Sequence, residues 1–303
     1  MNIAVVIPCH NHAHFLAGAV ASVVGQTYHD WELIIVDDGS TDHTQQVATQ
    51  LIARFAGRPI RLISQANRGQ GASRNAGIAA SAAPFILTLD ADDLIAAPFL
   101  ERTLAALESD PQLGFVTTNV RFFGAEATTW SGGEPSRERM RYDCRMVMAV
   151  LFRRSAWAEA DGFLEQRARQ GYEDWDFWLR LIERGYRGRL VPQELVWYRR
   201  STSSALTQAT PNDLRFRAHL IDDHQALYAA GFRIWASAVL RGWEQQRLWS
   251  RTLWYSQYLV LIARHAPREL PKALARPAFK ALGPHAQQHA RALARALGLS
   301  RTT

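Results

Sequence analysis

Four times in its opening stretch the chain repeats one pattern: a short apolar run, an abrupt polar cluster, then an amphipathic segment. The apolar runs cover residues 3–7, 32–36, 60–64 and 85–89. Short β-branched runs of this kind read as buried parallel strands. After the first run, Phe15, Leu16, Ala19, Val20, Val23 and Val24 recur at helical spacing. After the second, residues 45–55 read as a helix that Thr41 or Asp42 can cap. Strands alternating with helices predict an α/β fold, a mostly parallel, Rossmann-like doubly wound sheet flanked by helices. In such sheets ligands collect at the carboxyl ends of the strands. The polar clusters at 9–12, 37–40, 67–75 and 90–93 fall there, and four in succession read as one assembled site.

Beyond Pro98 the spacing predicts a helix over 99–107 and strands over 114–118 and 146–152. Residues 124–143 are polar and carry Gly132-Gly133, Pro135 and Arg137, Arg139 and Arg141, which reads as a loop beside the assembled site. Trp130 in that loop fits either a stacking platform for a bound ring or the loop's apolar anchor. Residues 171–182 open a helix with acidic residues in its first turn. From about Pro211 the polar clusters stop. Residues 214–230 and 232–263 are helical by period, with Trp235, Trp243, Trp249 and Trp254, and prolines divide the remainder. The expected organisation is a catalytic-type domain over 1–205 and a basic, Trp-rich α-helical extension over 206–303.

Charge follows this division. The formal net charge is +7, yet residues 1–200 hold 21 Lys and Arg against 23 Asp and Glu, while residues 201–303 hold 14 against 5. Tryptophan with arginine on amphipathic helices fits interfacial membrane contact, and equally helices packed on the main domain. Nucleic acid is set aside because no nucleic-acid motif accompanies the charge. Cys9 and Cys144 make neither a metal spacing nor a disulfide framework, as expected of buried thiols in a reducing compartment. The first residues carry no basic n-region, and no window reaches the roughly 18 apolar residues of a membrane span. The expected address is the cytoplasm, with peripheral contact at the inner face of the membrane.

Two acidic clusters invite chemistry. In Leu89-Asp90-Ala91-Asp92-Asp93, side chains two apart on an extended chain share a face. Their mutual repulsion calls for a positive partner, and a hard divalent cation that also holds phosphates fits. The competing reading has Asp93 capping a helix from Ala96. In Glu173-Asp174-Trp175 the carboxylates either supply a general base or merely start a helix. His10, His12 and His14 alternate, but they straddle a strand end and a helix start, which sets a zinc site aside.

Taken in order, five blocks resemble family 2 glycosyltransferases. They are Val5-Val6-Ile7-Pro8-Cys9-His10-Asn11, Val36-Asp37-Asp38-Gly39-Ser40-Thr41-Asp42, Asn67-Arg68-Gly69 with Ser73-Arg74-Asn75-Ala76-Gly77, Leu89-Asp90-Ala91-Asp92-Asp93, and Glu173-Asp174-Trp175. The resemblance covers residues 1 to about 205 and implies the GT-A fold and a nucleotide-sugar donor of UDP or dTDP type. By that resemblance Asp38, with Asp37, accepts hydrogen bonds from the base, and Pro8, Cys9, Asn11 and Gly39 line its pocket. Arg74 grips phosphate or base oxygens, while Arg68, Gly69 and Gly71 belong to a loop that approaches the ligand closely. Asp90 and Asp92, flanking Ala91, form the D-x-D element. Asp92 is then the ligand to Mg²⁺ or Mn²⁺, and Asp90 faces ribose or metal. Asp174, beside Glu173, matches the base of an inverting single displacement.

The expected acceptor is a hydroxyl of a surface glycan or lipid-linked saccharide. Tyr198-Arg199-Arg200-Ser201 departs from the family's Tyr-Arg-x-His, with Ser201 at the His position, so Arg199 or Arg200 would neutralise phosphate instead. Gln245-Gln246-Arg247-Leu248-Trp249 lacks the spacing of the processive synthases, which implies one sugar per encounter. The alternative is a non-catalytic nucleotide-sugar-binding or scaffold protein of a glycan assembly complex. A nucleotidyltransferase would need a Gly-rich loop after the first strand, where Pro8-Cys9-His10-Asn11 stands.

Overall fold

A computed structural model describes residues 1–125, 127–141, 144, 146–165, 172–200, 219–221 and 223–229. The chain divides into two units, Met1–Thr210 and Pro211–Thr303. In the second, a short helix α8 (Gln225–Ala229) is described. Ser201 and the tryptophans of the expected extension lie outside the described residues.

The first unit is built on one nine-stranded sheet in which β3 (Ile60–Gln65), β2 (Trp31–Asp38), β1 (Ile3–Cys9), β4 (Phe85–Thr88), β8 (Val150–Arg153), β6 (Leu113–Gly124), β9 (Arg187–Arg200) and β5 (Leu94–Ile95) lie side by side in that order, with β7 (Thr129–Trp130) paired to β6. Strands β1 (Ile3–Cys9), β2 (Trp31–Asp38), β3 (Ile60–Gln65) and β4 (Phe85–Thr88) are mutually parallel. Helices α1 (Ala13–Val24), α2 (Thr44–Arg54) and α3 (Gln70–Ala79) connect them. All seven residues of β1 are buried because both faces of the strand are covered. Val5 and Ile7 join Leu16, Ala19 and Val20 of α1 in the core. On the other face Val6 and Val36 meet α3 so closely that a Cβ on Gly77 would overlap Val6. The chain steps outward from β1 through β2 to β3 and then returns to β4 on the far side of β1. In open α/β sheets such a reversal is where ligands bind, outside the carboxyl ends of the strands.

The second half of the sheet is mixed. After β5 (Leu94–Ile95) and α4 (Phe99–Glu108), β6 (Leu113–Gly124) runs well past the expected strand at 114–118. Where a loop over 124–143 is expected, the described residues hold a strand and a short helix. β7 (Thr129–Trp130) folds back on β6 as Trp130 stacks on Phe122 at 6.0 Å. The Ser136 hydroxyl caps the short α5 (Arg137–Met140). Trp130 is thereby the anchor of this segment. The strand expected at 146–152 is β8 (Val150–Arg153), antiparallel to both β4 and β6. It starts late because the Met148 carbonyl is turned toward the Thr88 hydroxyl at 3.0 Å. α6 (Arg154–Glu159) and α7 (Glu173–Glu183) follow. The 14-residue β9 (Arg187–Arg200), parallel to β6, has no counterpart in the sequence reading. Exposed charges along it and Pro192 hide its alternation.

Candidate active site

At the ends of β1 and β2, polar side chains organise the loops before they can serve anything else. Asp38, 4% exposed, accepts from Gln65 Nε2 at 2.7 Å and from the backbone N–H groups of Arg68 and Gly69 at 2.9 and 2.8 Å. Burial pushes its carboxyl up, but bonds from Arg68, Gln65, Gly69 and Ser73 outweigh that and hold it below the usual carboxylate range. Asp37 accepts from Ser40 N–H and from Gln45 Nε2 at 2.7 Å. Gly39 adopts φ 70°, where a side chain would lie 2.8 Å from the Asn67 nitrogen.

Asn11, at φ 56°, accepts from Thr41 N–H at 2.8 Å and donates its own N–H to the Ser40 hydroxyl. Asp42 spans two helix starts, accepting from Ala13 N–H and Thr44 N–H at 3.1 and 2.9 Å. Pro8 and Cys9 pair in register with Val36 and Asp37. Burial pushes the Cys9 thiol up to about 12, which leaves it neutral and unreactive.

One strand over, β4 ends and the chain turns at Asp90-Ala91-Asp92-Asp93, with Asp93 N–H donating to the Asp90 carbonyl at 3.1 Å. Asp93 does not cap α4. It is 1% exposed and accepts from Arg199 N–H at 2.8 Å, while its Oδ2 has no hydrogen-bond partner. Burial, then the charges of Asp90 and Asp92, drive the Asp93 carboxyl well above its ordinary value. Burial and the Asp90 charge also raise the Asp92 carboxyl, against the opposing pull of His12 and Arg199. Arg199 donates through Nε to the Asp92 carbonyl at 3.0 Å. Its guanidinium carbon sits 4.3 Å from the ring centres of both Phe15 and Phe123. Phe15, Phe123 and the Asp92 carbonyl thus hold a cation beside the D-x-D turn, while Asp93 fastens the Arg199 backbone. Sequence reasoning missed that clamp, because its parts come from three separate elements.

Arg74 completes the site. Fully buried on α3, it donates to Asp90 Oδ1 at 3.0 Å and to Glu173 Oε1 at 3.1 Å. Burial disfavours the charged guanidinium, and the charges of Asp90, Glu173 and Asp174 more than compensate. The first turn of α7 is thereby tied to the D-x-D turn. The helix is seated by an aromatic cluster in which Trp178 lies 5.0 Å from Phe115 and Phe177 lies 5.4 Å from Phe152. Asp174, partly exposed, is pushed up to about 7 by burial and the charge of Glu173, with Arg74 and Trp175 N–H pulling the other way. A carboxylate in that range suits proton abstraction near neutral pH.

The structure therefore gathers Asp90, Arg74, Glu173 and Asp174 into one charged network, with Arg199 held against Asp92. Two expectations are relocated. The Arg68 side chain is paired with Glu165 at 2.5 Å, so only its backbone serves Asp38. Gly71 accommodates protein, since a Cβ there would overlap the Leu164 carbonyl oxygen. Among the described residues no group of three or more His, Cys, Asp and Glu side chains is arranged to hold a metal. A nucleotide-linked divalent cation needs only one or two carboxylates, its other ligands being phosphate and water. Asp92, crowded by Asp90 and next to the unpartnered Asp93 Oδ2, fits that requirement. No described helix is long and apolar enough to cross a membrane.

Comparison with known proteins agrees in sequence and in shape. The model of the family described as Glycosyl transferase family 2 matches residues 4–176. Glycosyltransferase alr2836 of Nostoc sp. is 42% identical over 114 residues, which cover 38% of this chain and 35% of that protein. EpsE of Bacillus subtilis is 30% identical over 207 residues, covering 67% of this chain and 74% of EpsE. The chain thus spans about a third of the first relative and three quarters of the second. Among solved structures, S. aureus TarS 1–349 in complex with UDP-GlcNAc superposes with a TM-score of 0.68 over 98% of this chain and 92% of that one. Sequence identity there is 17%, so this likeness speaks for the fold.

Proposed function

The chain belongs to glycosyl transferase family 2 and is a glycosyltransferase, and from that premise we propose that it moves a sugar from a nucleoside diphosphate to an acceptor hydroxyl with inversion, Asp174 acting as base. The observation that carries this reading is the Arg74 bridge, which joins Asp90 of the D-x-D turn to Glu173 beside Asp174. Donor-side and acceptor-side carboxylates thus share one buried cation.

In the proposed reaction the acceptor O–H gives its proton to the Asp174 carboxylate as its oxygen attacks the anomeric carbon. The bond from that carbon to the diphosphate oxygen breaks, and the nucleoside diphosphate leaves with the electron pair. Attack opposite the leaving group inverts the anomeric centre. Asp92, with Asp90, would hold Mg²⁺ or Mn²⁺. Such a cation offsets negative charge on a leaving diphosphate. Arg199, fixed between two rings, presents a second positive charge beside the same turn.

The donor is proposed to be a UDP or dTDP sugar, in keeping with the UDP-GlcNAc held by the TarS structure. The strand-end loops set by Asp38 and Asn11 would form the base pocket. The proposed acceptor is a glycan or lipid-linked saccharide. The basic segment 206–303 is proposed to contact the membrane surface from the cytoplasmic side. A thermal-shift panel of UDP, dTDP and GDP sugars, with and without Mn²⁺, tests the donor site, since a ligand that binds the native state raises its melting temperature. Stabilisation by one nucleotide class supports the reading. Indifference to every nucleoside diphosphate would overturn it.

A further inference from the structure

Residues 160–165, between α6 and α7, carry no group assigned to donor or acceptor, yet they are tied down on both flanks. Toward α3, Asn75 Oδ1 accepts from Phe163 N–H at 2.8 Å and from Trp157 Nε1–H at 3.1 Å. Asn75 Nδ2 donates to the Phe163 carbonyl at 2.8 Å and to Glu165 Oε1 at 3.0 Å. The amide thus spends both acceptor sites and both N–H groups on this segment and on Trp157 of the preceding α6. Toward α7, Arg180 donates to the carbonyls of Ala160 and Gly162 while paired with Asp176 at 2.8 Å.

Two small residues make room for the fastening. A Cβ on Gly162, at φ 72°, would lie 2.7 Å from Asn75 Oδ1. The bare face of Gly71 admits the Leu164 carbonyl.

What the segment holds is Phe163. Its ring packs on Phe177 of α7 with centroids 4.2 Å apart, and the Arg74 guanidinium carbon lies 5.6 Å from its centre. Arg74 Nε has no hydrogen-bond partner. The tilt of that guanidinium is therefore set by its two terminal nitrogens and by the ring beneath it.

We propose that Asn75 is a positioning residue for the transfer step: by fixing Phe163 between α3 and α7 it seats Arg74, and through Arg74 it aligns Glu173 and Asp174 with Asp90. This rests on the reading of Asp174 as base. A displacement of about 1 Å in such an arrangement costs on the order of 10²-fold in rate.

Asn75→Asp keeps the acceptor atom, removes both donated hydrogen bonds and sets a carboxylate against Glu165. The expected result is a kcat lower by roughly 10- to 100-fold, with the KM for nucleotide sugar and the Kd for nucleoside diphosphate within about twofold of the parent. Adding Glu165→Gln returns an N–H between positions 75 and 165 while the bond to the Phe163 carbonyl stays lost, so part of the lost kcat returns with it. Gly71→Ala crowds Leu164 without touching Asn75 and should give the same kcat-selective loss, which keeps a test available if Asn75→Asp does not fold.

Unchanged kcat in these variants would overturn the proposal. So would a loss that follows nucleoside-diphosphate affinity, or the folded fraction at assay temperature, rather than kcat. Full turnover in Asp174→Asn would instead sink the base assignment, while an inactive Asp174→Asn beside fully active Asn75 variants would sink only the role of Asn75.

Discussion

The Arg74 guanidinium donates to Glu173 Oε1 at 3.1 Å, joining residues ninety-nine positions apart in the chain. Its other terminal nitrogen reaches Asp90, and nothing of it is exposed to solvent beyond 1%. A buried cation between two carboxylates is stable only while all three are present.

Replacing Arg74 with Met should therefore cost stability on the order of 3–5 kcal/mol, because the buried Glu173 and the partly exposed Asp90 lose their common partner. Arg74→Lys keeps the charge but not the two-armed geometry, and should fold better than Arg74→Met while remaining nearly inactive. Urea denaturation and turnover of the two variants check both statements. Equal stability of Arg74→Met and the parent would contradict the network.

Asp174 makes the pH dependence specific. With its carboxyl pushed up to about 7, the base is protonated below that pH, so kcat should fall as pH drops through about 7. Asp174→Asn should lower kcat by roughly 10²- to 10⁴-fold while nucleoside diphosphate still binds. Because the folded-state value lies above the unfolded one, the neutral form favours the native state. Its stabilising contribution is complete below about pH 4 and is lost as pH rises through about 7. Asp174→Asn should accordingly raise the melting temperature at pH 8 more than at pH 4, as read by calorimetry.

Asp38 has the opposite sign. Its carboxyl is held low, so its contribution is present above the unfolded value of about 4 and fades as pH falls through the folded one. Asp38→Ala strands the N–H groups of Arg68 and Gly69 and the Gln65 amide, at a cost of about 1–3 kcal/mol. Amide hydrogen exchange at Arg68 and Gly69 should speed up in this variant before the sheet is affected. Unaltered protection there would show that the loop is held by something else.

At the D-x-D turn, Asp92→Asn should abolish any Mn²⁺-dependent part of the thermal shift caused by nucleoside diphosphate. Chelation of the divalent ion should do the same to the parent. Arg199→Met removes a positive charge beside the turn and should weaken nucleoside diphosphate far more than nucleoside, measured by calorimetric titration. Phe15→Leu and Phe123→Leu should each reproduce part of that loss, since a stacked guanidinium gains about 0.5–2 kcal/mol from an aromatic face. Equal weakening of nucleoside and nucleoside diphosphate would point away from a phosphate role for Arg199.

Legible in the sequence alone were the four-fold alternation of β1–α1 through β4, the order of the polar strand ends and a helix over 171–182, which the structure has as Glu173–Glu183. The sequence offered Thr41 or Asp42 as the cap of α2, and of the two Asp42 accepts from Thr44 N–H at the helix start, with His43 at the cap position itself. These features depend on neighbours a few positions apart, so periodicity and side-chain type suffice to read them. Packing, not local pattern, has Asp38 absorbed by the 65–69 loop, Gly71 facing the Leu164 carbonyl, and Arg199 carried by β9 to a seat between Phe15 and Phe123. Each of these depends on which strands lie side by side. The order β4-β8-β6-β9 brings segments from opposite ends of the domain into register, and no local pattern encodes that pairing. The partners of Arg74 belong to the same class. Its identity as a charged residue beside a ligand loop was legible, whereas its burial between Asp90 and Glu173 required α3, β4 and α7 to be packed together first.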